Sequence, residues 1–110
     1  MCIFCEIAQK KAPATILYED DSVMAIENIE PKTPIHLLVI PKKHIDSING
    51  AEEEDKEVIG KMVLIARDLA KVKGISESGY RLILNNGRDA GQTVDHLHLH
   101  LIGGEKLPFA

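Results

Sequence analysis

Three histidines alternate with leucines near the carboxyl end of the chain, at His96, His98 and His100. On a strand, residues two apart share a face, so the imidazoles would line one face at roughly 6.6–7 Å intervals while the leucines enter apolar packing. A lone histidine on an apolar strand is usually structural. Three in register indicate either a metal site, because imidazole binds zinc, iron and copper, or phosphoryl chemistry, with one imidazole as nucleophile and another moving a proton.

The segment that runs into these histidines is polar and rich in glycine, from Asn85 to Thr93. Its glycines allow close approach of a backbone, and its amides and the Thr93 hydroxyl are donors for phosphate oxygens. Alone, such a loop indicates only a turn. Joined to the histidine row, it favours phosphoryl chemistry.

A second cluster of possible ligands begins at Cys2-x-x-Cys5. This spacing serves either redox chemistry or metal binding, and no βαβ context supports the redox alternative. Zinc takes four nitrogen or sulfur ligands, and His44 and His96 would complete such a set. A closed four-ligand site predicts a structural zinc ion.

Composition places the chain among ordinary globular proteins. Its 110 residues predict a single domain spanning 1–110, with 45% hydrophobic and 27% charged residues. The formal net charge of −4 argues against a nucleic-acid partner, which requires clustered Lys and Arg. A mononucleotide remains acceptable, because it needs only local donors.

The same reading predicts a cytoplasmic protein without a membrane partner. No apolar run approaches the roughly 20 residues that span a bilayer. The amino-terminal residues lack the basic and apolar segments of a signal peptide, and reduced cysteines suit the cytoplasm.

Hydrophobic periodicity predicts an α+β fold with an antiparallel sheet, because strands at both ends flank one long helix. The expected short and long helices are Cys5 to Lys11 and Glu52 to Lys73. The expected strands are Thr15 to Tyr18, Val23 to Asn28, His36 to Ile40, Tyr80 to Leu84 and Val94 to Ile102.

The long helix carries an unusually wide apolar stripe, which Val63 and Leu64 widen further. Such a helix has more apolar surface than one small sheet covers. We therefore expect a homodimer with these helices near the two-fold axis. The acidic run Glu52 to Asp55 suits the start of a helix, whose dipole favours negative charge.

Gly91-Gln92-Thr93-Val94-Asp95-His96-Leu97-His98-Leu99-His100-Leu101 resembles the motif of the histidine triad (HIT) family. Further segments are similar to its HINT branch in order and spacing, including Pro34 to Ile45 and Gly79-Tyr80-Arg81. The resemblance implies a HIT-like fold, a five-stranded antiparallel sheet with one long and one short helix, paired as a homodimer. It also implies the zinc ligands Cys2, Cys5, His44 and His96, as in many bacterial members.

For activity, the resemblance implies hydrolysis of purine nucleoside 5′-phosphoramidates or related nucleoside phosphates. His98 would attack phosphorus to form a nucleotidyl-histidine, His100 would contact the leaving group, and His36 would support the triad. Two alternatives are a dinucleoside polyphosphate hydrolase and a regulatory or scaffold protein that binds nucleotides. A third, a metal-binding module, is disfavoured because His98 and the full loop are both present.

The resemblance also assigns the ligand-binding positions. Those that match the phosphate site are Asn85, Gly91, Gln92 and Thr93. Those that fall where the family encloses the base, and that would otherwise be ordinary core, are Ile3, Phe4, Ile7, Ile26, Ile29 and Leu38. Asn28 stands where the branch usually has the ribose-binding Asp, which removes a charge-assisted hydrogen bond.

Overall fold

The computed structural model describes residues 2–108. In this part of the chain five strands form one antiparallel sheet in the order β1-β2-β3-β5-β4. The strands are β1 Ile16–Glu19, β2 Val23–Glu27, β3 Ile35–Pro41, β4 Tyr80–Ile83 and β5 Leu99–Gly103. The helices are α1 Ile3–Ala8 and α2 Lys56–Val72, with 3₁₀ turns at Glu53–Asp55 and Arg88–Ala90. The predicted α+β architecture, a five-stranded antiparallel sheet with one long and one short helix, is confirmed.

The sheet has two differently covered faces, because side chains alternate along each strand. The helix face packs against α2 and contains Val23, Ala25, Leu37, Val39, Leu99 and Leu101. The opposite face, called here the histidine face, lies under α1 and carries an apolar cluster of Phe4, Ile7, Met24, Ile26, Leu38 and Ile40. The chemistry-bearing side chains therefore lie on the face away from the long helix.

The short helix starts earlier than predicted, at Ile3 instead of Cys5. The reason is an unforeseen cap: the Cys5 backbone N–H donates to Sγ of Cys2 at 3.2 Å, which satisfies a donor of the first turn. The helix ends at Ala8, before the predicted Lys11, because Lys10 has a φ of 62° and leaves the helical region. The capping cysteine thus sets the direction of α1.

The last strand is shorter than the predicted Val94 to Ile102, since pairing with β3 begins only at Leu99. Extending the ladder would bring Pro41 into it, and proline has no N–H to donate. The Pro41 carbonyl instead accepts Nε2–H of His96 at 2.8 Å, and the Leu97 N–H donates to the Ile45 carbonyl at 2.7 Å. His96 and His98 therefore lie in a bent segment just before β5.

The connection from β3 to α2 is fixed by an ion pair whose carboxylate is buried and whose lysine is exposed. Asp55 is 3% exposed, accepts the Glu52 N–H at 2.8 Å and contacts Nζ of Lys43 at 2.7 Å. The acidic run thus caps the 3₁₀ turn that leads into α2, and it also anchors the residue next to His44. Within residues 2–108, no helix has both the length and the apolar content needed to cross a bilayer.

Candidate active site and metal centre

One ring nitrogen of His98 is hydrogen-bonded to the backbone. Its Nδ1 lies 2.7 Å from the carbonyl oxygen of His96, which can only accept, so the proton is on Nδ1. The ring is 8% exposed and lies between the rings of Phe4 and His100, with centroids 5.1 and 5.0 Å away. The lone pair therefore resides on Nε2, which can act as a nucleophile.

His36 and His100 form a direct pair on the histidine face. Nε2 of His36 lies 2.9 Å from Nδ1 of His100, and the strands place them as cross-strand neighbours. The Lys32 backbone N–H donates to Nδ1 of His36 at 3.0 Å, so the His36 proton is on Nε2 and points to His100. Neutral His100 must then carry its own proton on Nε2, where it can be donated to a ligand.

Burial keeps this pair uncharged. Burial, together with the neighbouring His98 and His36, lowers the pKa of His100 to about 4. Burial and the positive charge of Lys32 also lower the pKa of His36. At neutral pH the site therefore presents a neutral N–H donor, His100, beside Nε2 of His98.

The loop before the triad is held largely by Gln92. Its Oε1 accepts the Gly87 N–H at 2.8 Å, and its Nε2 donates to the carbonyls of Asp46 and Val94 at 2.7 and 3.1 Å. Gly91 has a φ of 92°, which a residue with a Cβ rarely adopts. The three hydrogen bonds and the Gly91 turn therefore fix the conformation of the loop that leads into the histidines.

The other predicted phosphate contacts lie at the two ends of this loop. Thr93 is exposed, and Asn85 is half-buried directly after β4. Gln92 uses both ends of its side-chain amide within the protein, so its observed role is to hold the loop. The exposed Thr93 hydroxyl is better placed to meet a ligand.

The predicted base-pocket residues separate into two groups. Four belong to the apolar cluster of the histidine face and are at most 7% exposed: Phe4, Ile7, Ile26 and Leu38. The other two are exposed, Ile3 at 45% and Ile29 at 90%. The structure thus brings the buried four together as core, with Phe4 against His98, and leaves Ile3 and Ile29 open to solvent.

Asn28 follows β2 and lies beside His36. Its Oδ1 accepts the Glu30 backbone N–H at 2.9 Å, which orients the amide. Its Nδ2 therefore faces Nε2 of His36 at 3.2 Å. The sequence anticipated a sugar contact for Asn28 but gave no sign of this histidine contact.

A separate cluster joins the amino terminus to the bent segment before β5. The ligand atoms of Cys2, Cys5, His44 and His96 all lie within 4.8 Å of one another. Its four sulfur-to-nitrogen distances are 3.6, 3.2, 3.1 and 3.5 Å. Tetrahedral zinc, with bonds of 2.3 Å to sulfur and 2.0–2.1 Å to nitrogen, requires roughly 3.6 Å between such atoms.

Both histidines of this cluster direct a bare nitrogen at the two thiols. His96 donates Nε2–H to the Pro41 carbonyl, and His44 places Nε2 2.7 Å from Oδ1 of Asp46. In each ring this leaves the Nδ1 lone pair for a metal, as second hydrogen bonds to histidine ligands commonly do. The four residues fit a zinc ion. Sequence reasoning missed Asp46, although a carboxylate two residues after a ligand histidine was a usable signal.

Comparison with known proteins agrees with this geometry. The HIT domain family matches residues 9–107. A purine nucleoside phosphoramidase of Escherichia coli K12 is 42% identical over 105 residues, which cover 96% of this chain and 88% of the relative.

Two solved structures are similar throughout. A HIT family hydrolase from Legionella pneumophila Philadelphia 1 is 45% identical with a TM-score of 0.97, covering 99% of this chain and 97% of that one. A histidine triad protein from Clostridium difficile is 42% identical with a TM-score of 0.95, covering 99% and 95%. The likeness thus spans nearly the whole chain.

Proposed function

Since this chain belongs to the HIT family, we propose that it hydrolyses purine nucleoside 5′-phosphoramidates or related nucleoside phosphates through a nucleotidyl intermediate on His98. The observation that carries the proposal is the hydrogen bond from Nδ1 of His98 to the His96 carbonyl at 2.7 Å. It fixes the nucleophilic lone pair on Nε2, beside the neutral donor His100. The phosphoramidase from Escherichia coli, at 42% identity, supports the substrate class.

In the first half-reaction, Nε2 of His98 forms a bond to the α-phosphorus, and the bond from phosphorus to the leaving nitrogen breaks. The electron pair of that bond stays with the nitrogen, which takes the proton from Nε2 of His100. In the second half-reaction, water attacks phosphorus, its hydroxyl stays there, its other proton restores His100, and His98 is released. His36 holds His100 through the 2.9 Å contact.

We propose that the ligand lies across the histidine face. Thr93, Gly91 and Asn85 bind the phosphate, and Gln92 keeps their loop in place through its three hydrogen bonds. Asn28 meets the sugar with the second hydrogen of its amide. The base contacts Ile3 and Ile29 from their exposed sides, above the buried Phe4, Ile7, Ile26 and Leu38.

We propose zinc at Cys2, Cys5, His44 and His96. When bound, the ion would tie α1 to the segment that carries the triad, and its four protein ligands would leave no position for substrate. The two free cysteines also suit a reducing compartment such as the cytoplasm.

We propose a homodimer as well. On α2, Val63 and Leu64 remain 38% and 51% exposed, while β4 forms one edge of the sheet. Exposed apolar side chains and an unpaired strand edge are each typical of an interface between copies. A second copy would cover both features.

The decisive experiment compares wild type with His98→Ala on adenosine 5′-phosphoramidate. We expect kcat to fall at least 1,000-fold, an order-of-magnitude figure for loss of a nucleophile, while AMP affinity stays within a few-fold. Rapid quench with α-phosphorus-labelled substrate should place the label on His98 in wild type. Glu105→Gln, which changes an exposed residue after β5 that has no role in the proposed mechanism, should leave both kcat and AMP affinity unchanged. Undiminished turnover in His98→Ala would refute the covalent mechanism.

A further inference from the structure

The loop of residues 85–93, called here the phosphate loop, is attached to the connection between β3 and α2 at two points. Nε2 of Gln92 donates to the Asp46 carbonyl at 2.7 Å, and Oδ1 of Asn86 accepts the Asn49 backbone N–H at 2.8 Å. In the described part of the chain, its other hydrogen bonds lie inside the loop or reach the next residue. The connection after β3 is therefore the support on which this loop rests.

Asp46 also contacts one of the four proposed metal ligands. Its Oδ1 lies 2.7 Å from Nε2 of His44, whose Nδ1 faces Sγ of Cys5 at 3.1 Å. When Nδ1 of a histidine binds a metal, the ring proton is on Nε2, and a carboxylate there accepts it. Asp46 thus contacts the metal cluster through its side chain and the phosphate loop through its backbone.

Of the two histidines in the metal cluster, His44 is the one whose position depends on a bound ion. The His96 side chain is fully buried, and its hydrogen bond to the Pro41 carbonyl does not involve the metal. The His44 side chain is 42% exposed, and beyond the two thiols its hydrogen-bond partner within residues 2–108 is Asp46, which is 72% exposed. An exposed pair of this kind contributes little by itself, so we expect metal binding to hold it in place.

We propose that Asp46 is a positioning residue that couples the metal cluster to the phosphate loop. Metal-bound His44 fixes the Asp46 carboxylate, and the Asp46 carbonyl then fixes Gln92 and the loop. The coupling rests on the proposed metal and nucleotide sites but not on turnover. A loop that is already ordered loses less entropy when it binds phosphate, so zinc and a phosphate ligand should tighten each other by the same factor.

The test measures the zinc affinity of the full-length protein, in a chelator-buffered titration, with and without ribose 5-phosphate. This probe has a phosphate and a sugar but no base, so movement of Phe4 with α1 does not alter its contacts. In wild type we expect the probe to tighten zinc about five-fold, the lower end of the usual coupling between two sites. Hydrogen exchange of residues 85–93 should also slow when zinc binds to the ligand-free protein.

Three variants locate the coupling. Asp46→Ala removes the carboxylate and keeps the backbone carbonyl, so the probe should no longer change the zinc affinity and loop exchange should no longer respond to zinc. Asp46→Asn keeps an acceptor oxygen for His44 and should retain both effects. Ser47→Ala keeps both contacts of Asp46 and should match wild type. Zinc alone should bind more weakly to Asp46→Ala, because outer partners support metal ligands. The readout is therefore the ratio of zinc affinities with and without the probe.

Coupling that persists in Asp46→Ala would overturn the proposal, because it would then pass from the metal to the loop through His96. Wild-type protein that binds no zinc would overturn both the proposal and the metal centre. Wild-type loop exchange and probe affinity that are both insensitive to bound zinc would overturn the coupling alone. If loop exchange responds to zinc but neither AMP nor ribose 5-phosphate binds, the coupling is supported and the proposed hydrolase is refuted, so the two failures are distinguishable.

Discussion

Removing the metal should release the short helix while leaving the sheet intact. Helix α1 covers the histidine face chiefly through Phe4 and Ile7, which are 7% and 6% exposed. Burying two such side chains contributes about 3–6 kcal/mol. Ordering the six residues Ile3–Ala8 costs about 6–12 kcal/mol of backbone entropy. Burial of these two side chains alone does not offset this entropy, so we expect the proposed metal at Cys2 and Cys5 to help hold the helix.

The perturbation is the double variant Cys2→Ser/Cys5→Ser, with Glu6→Gln as a control that keeps all four ligands. We expect about one zinc per subunit in wild type and none in the double variant by elemental analysis. The free energy of unfolding should fall, because a metal bound only in the folded state contributes its binding free energy to folding. Hydrogen exchange should increase in the α1 peptide and change little in β2, β3 and β5.

Kinetically, KM should rise more than kcat falls, because Phe4 leaves the proposed base pocket while His98 keeps its hydrogen bond to the His96 carbonyl. His96 itself stays attached to the Pro41 carbonyl without metal. A collapse of kcat with an unchanged KM would refute this reasoning and indicate a catalytic metal. Zinc absent from wild type purified without chelator would remove the site altogether.

Three further predictions concern pH, assembly and sugar binding. Because the folded-state pKa of His100 is about 4 and its ordinary value is 6.5, its contribution to stability is present above pH 6.5 and is lost as pH falls toward 4. Chemical denaturation should show that, across this interval, the free energy of unfolding of His100→Gln falls by about 2 kcal/mol less than that of wild type. Light scattering should give a dimer for wild type and a monomer for Leu64→Asp, whereas a micromolar wild-type monomer would contradict the helix-mediated interface. Asn28→Asp should tighten ribonucleotides by about 1 kcal/mol relative to their 2′,3′-dideoxy analogues in calorimetry, and an equal effect on both would show that this side chain does not face the sugar.

The sequence predicted the side of the sheet that carries the chemistry but not the path of the backbone there. Strict alternation correctly separated His98 and His100 from Leu99 and Leu101, because side-chain period follows from strand geometry alone. The start of β5 was wrong, since it depends on the carbonyl of Pro41, a partner 55 residues away. Periodicity contains no information about such a contact.

The protonation pattern of the site was equally beyond prediction from residue types. It depends on backbone atoms: the Lys32 N–H for His36 and the His96 carbonyl for His98. Backbone groups are present at every residue, so their participation leaves no pattern in the sequence. Asp46 is different, because a carboxylate two residues after His44 could have been recognised as its partner.

The bend before β5 explains how one row of alternating histidines serves two purposes. A straight strand would have kept His96 in line with His98 and His100. Because pairing of β3 with β5 ends at Val39 and Leu99, the His96 ring instead turns to the Pro41 carbonyl and directs Nδ1 at Cys2, 3.2 Å away. The carbonyl of the same residue holds Nδ1 of His98 at 2.7 Å. His96 thus gives its ring to the proposed metal and its backbone to the proposed nucleophile, so the position of the metal and the orientation of His98 are set by one residue.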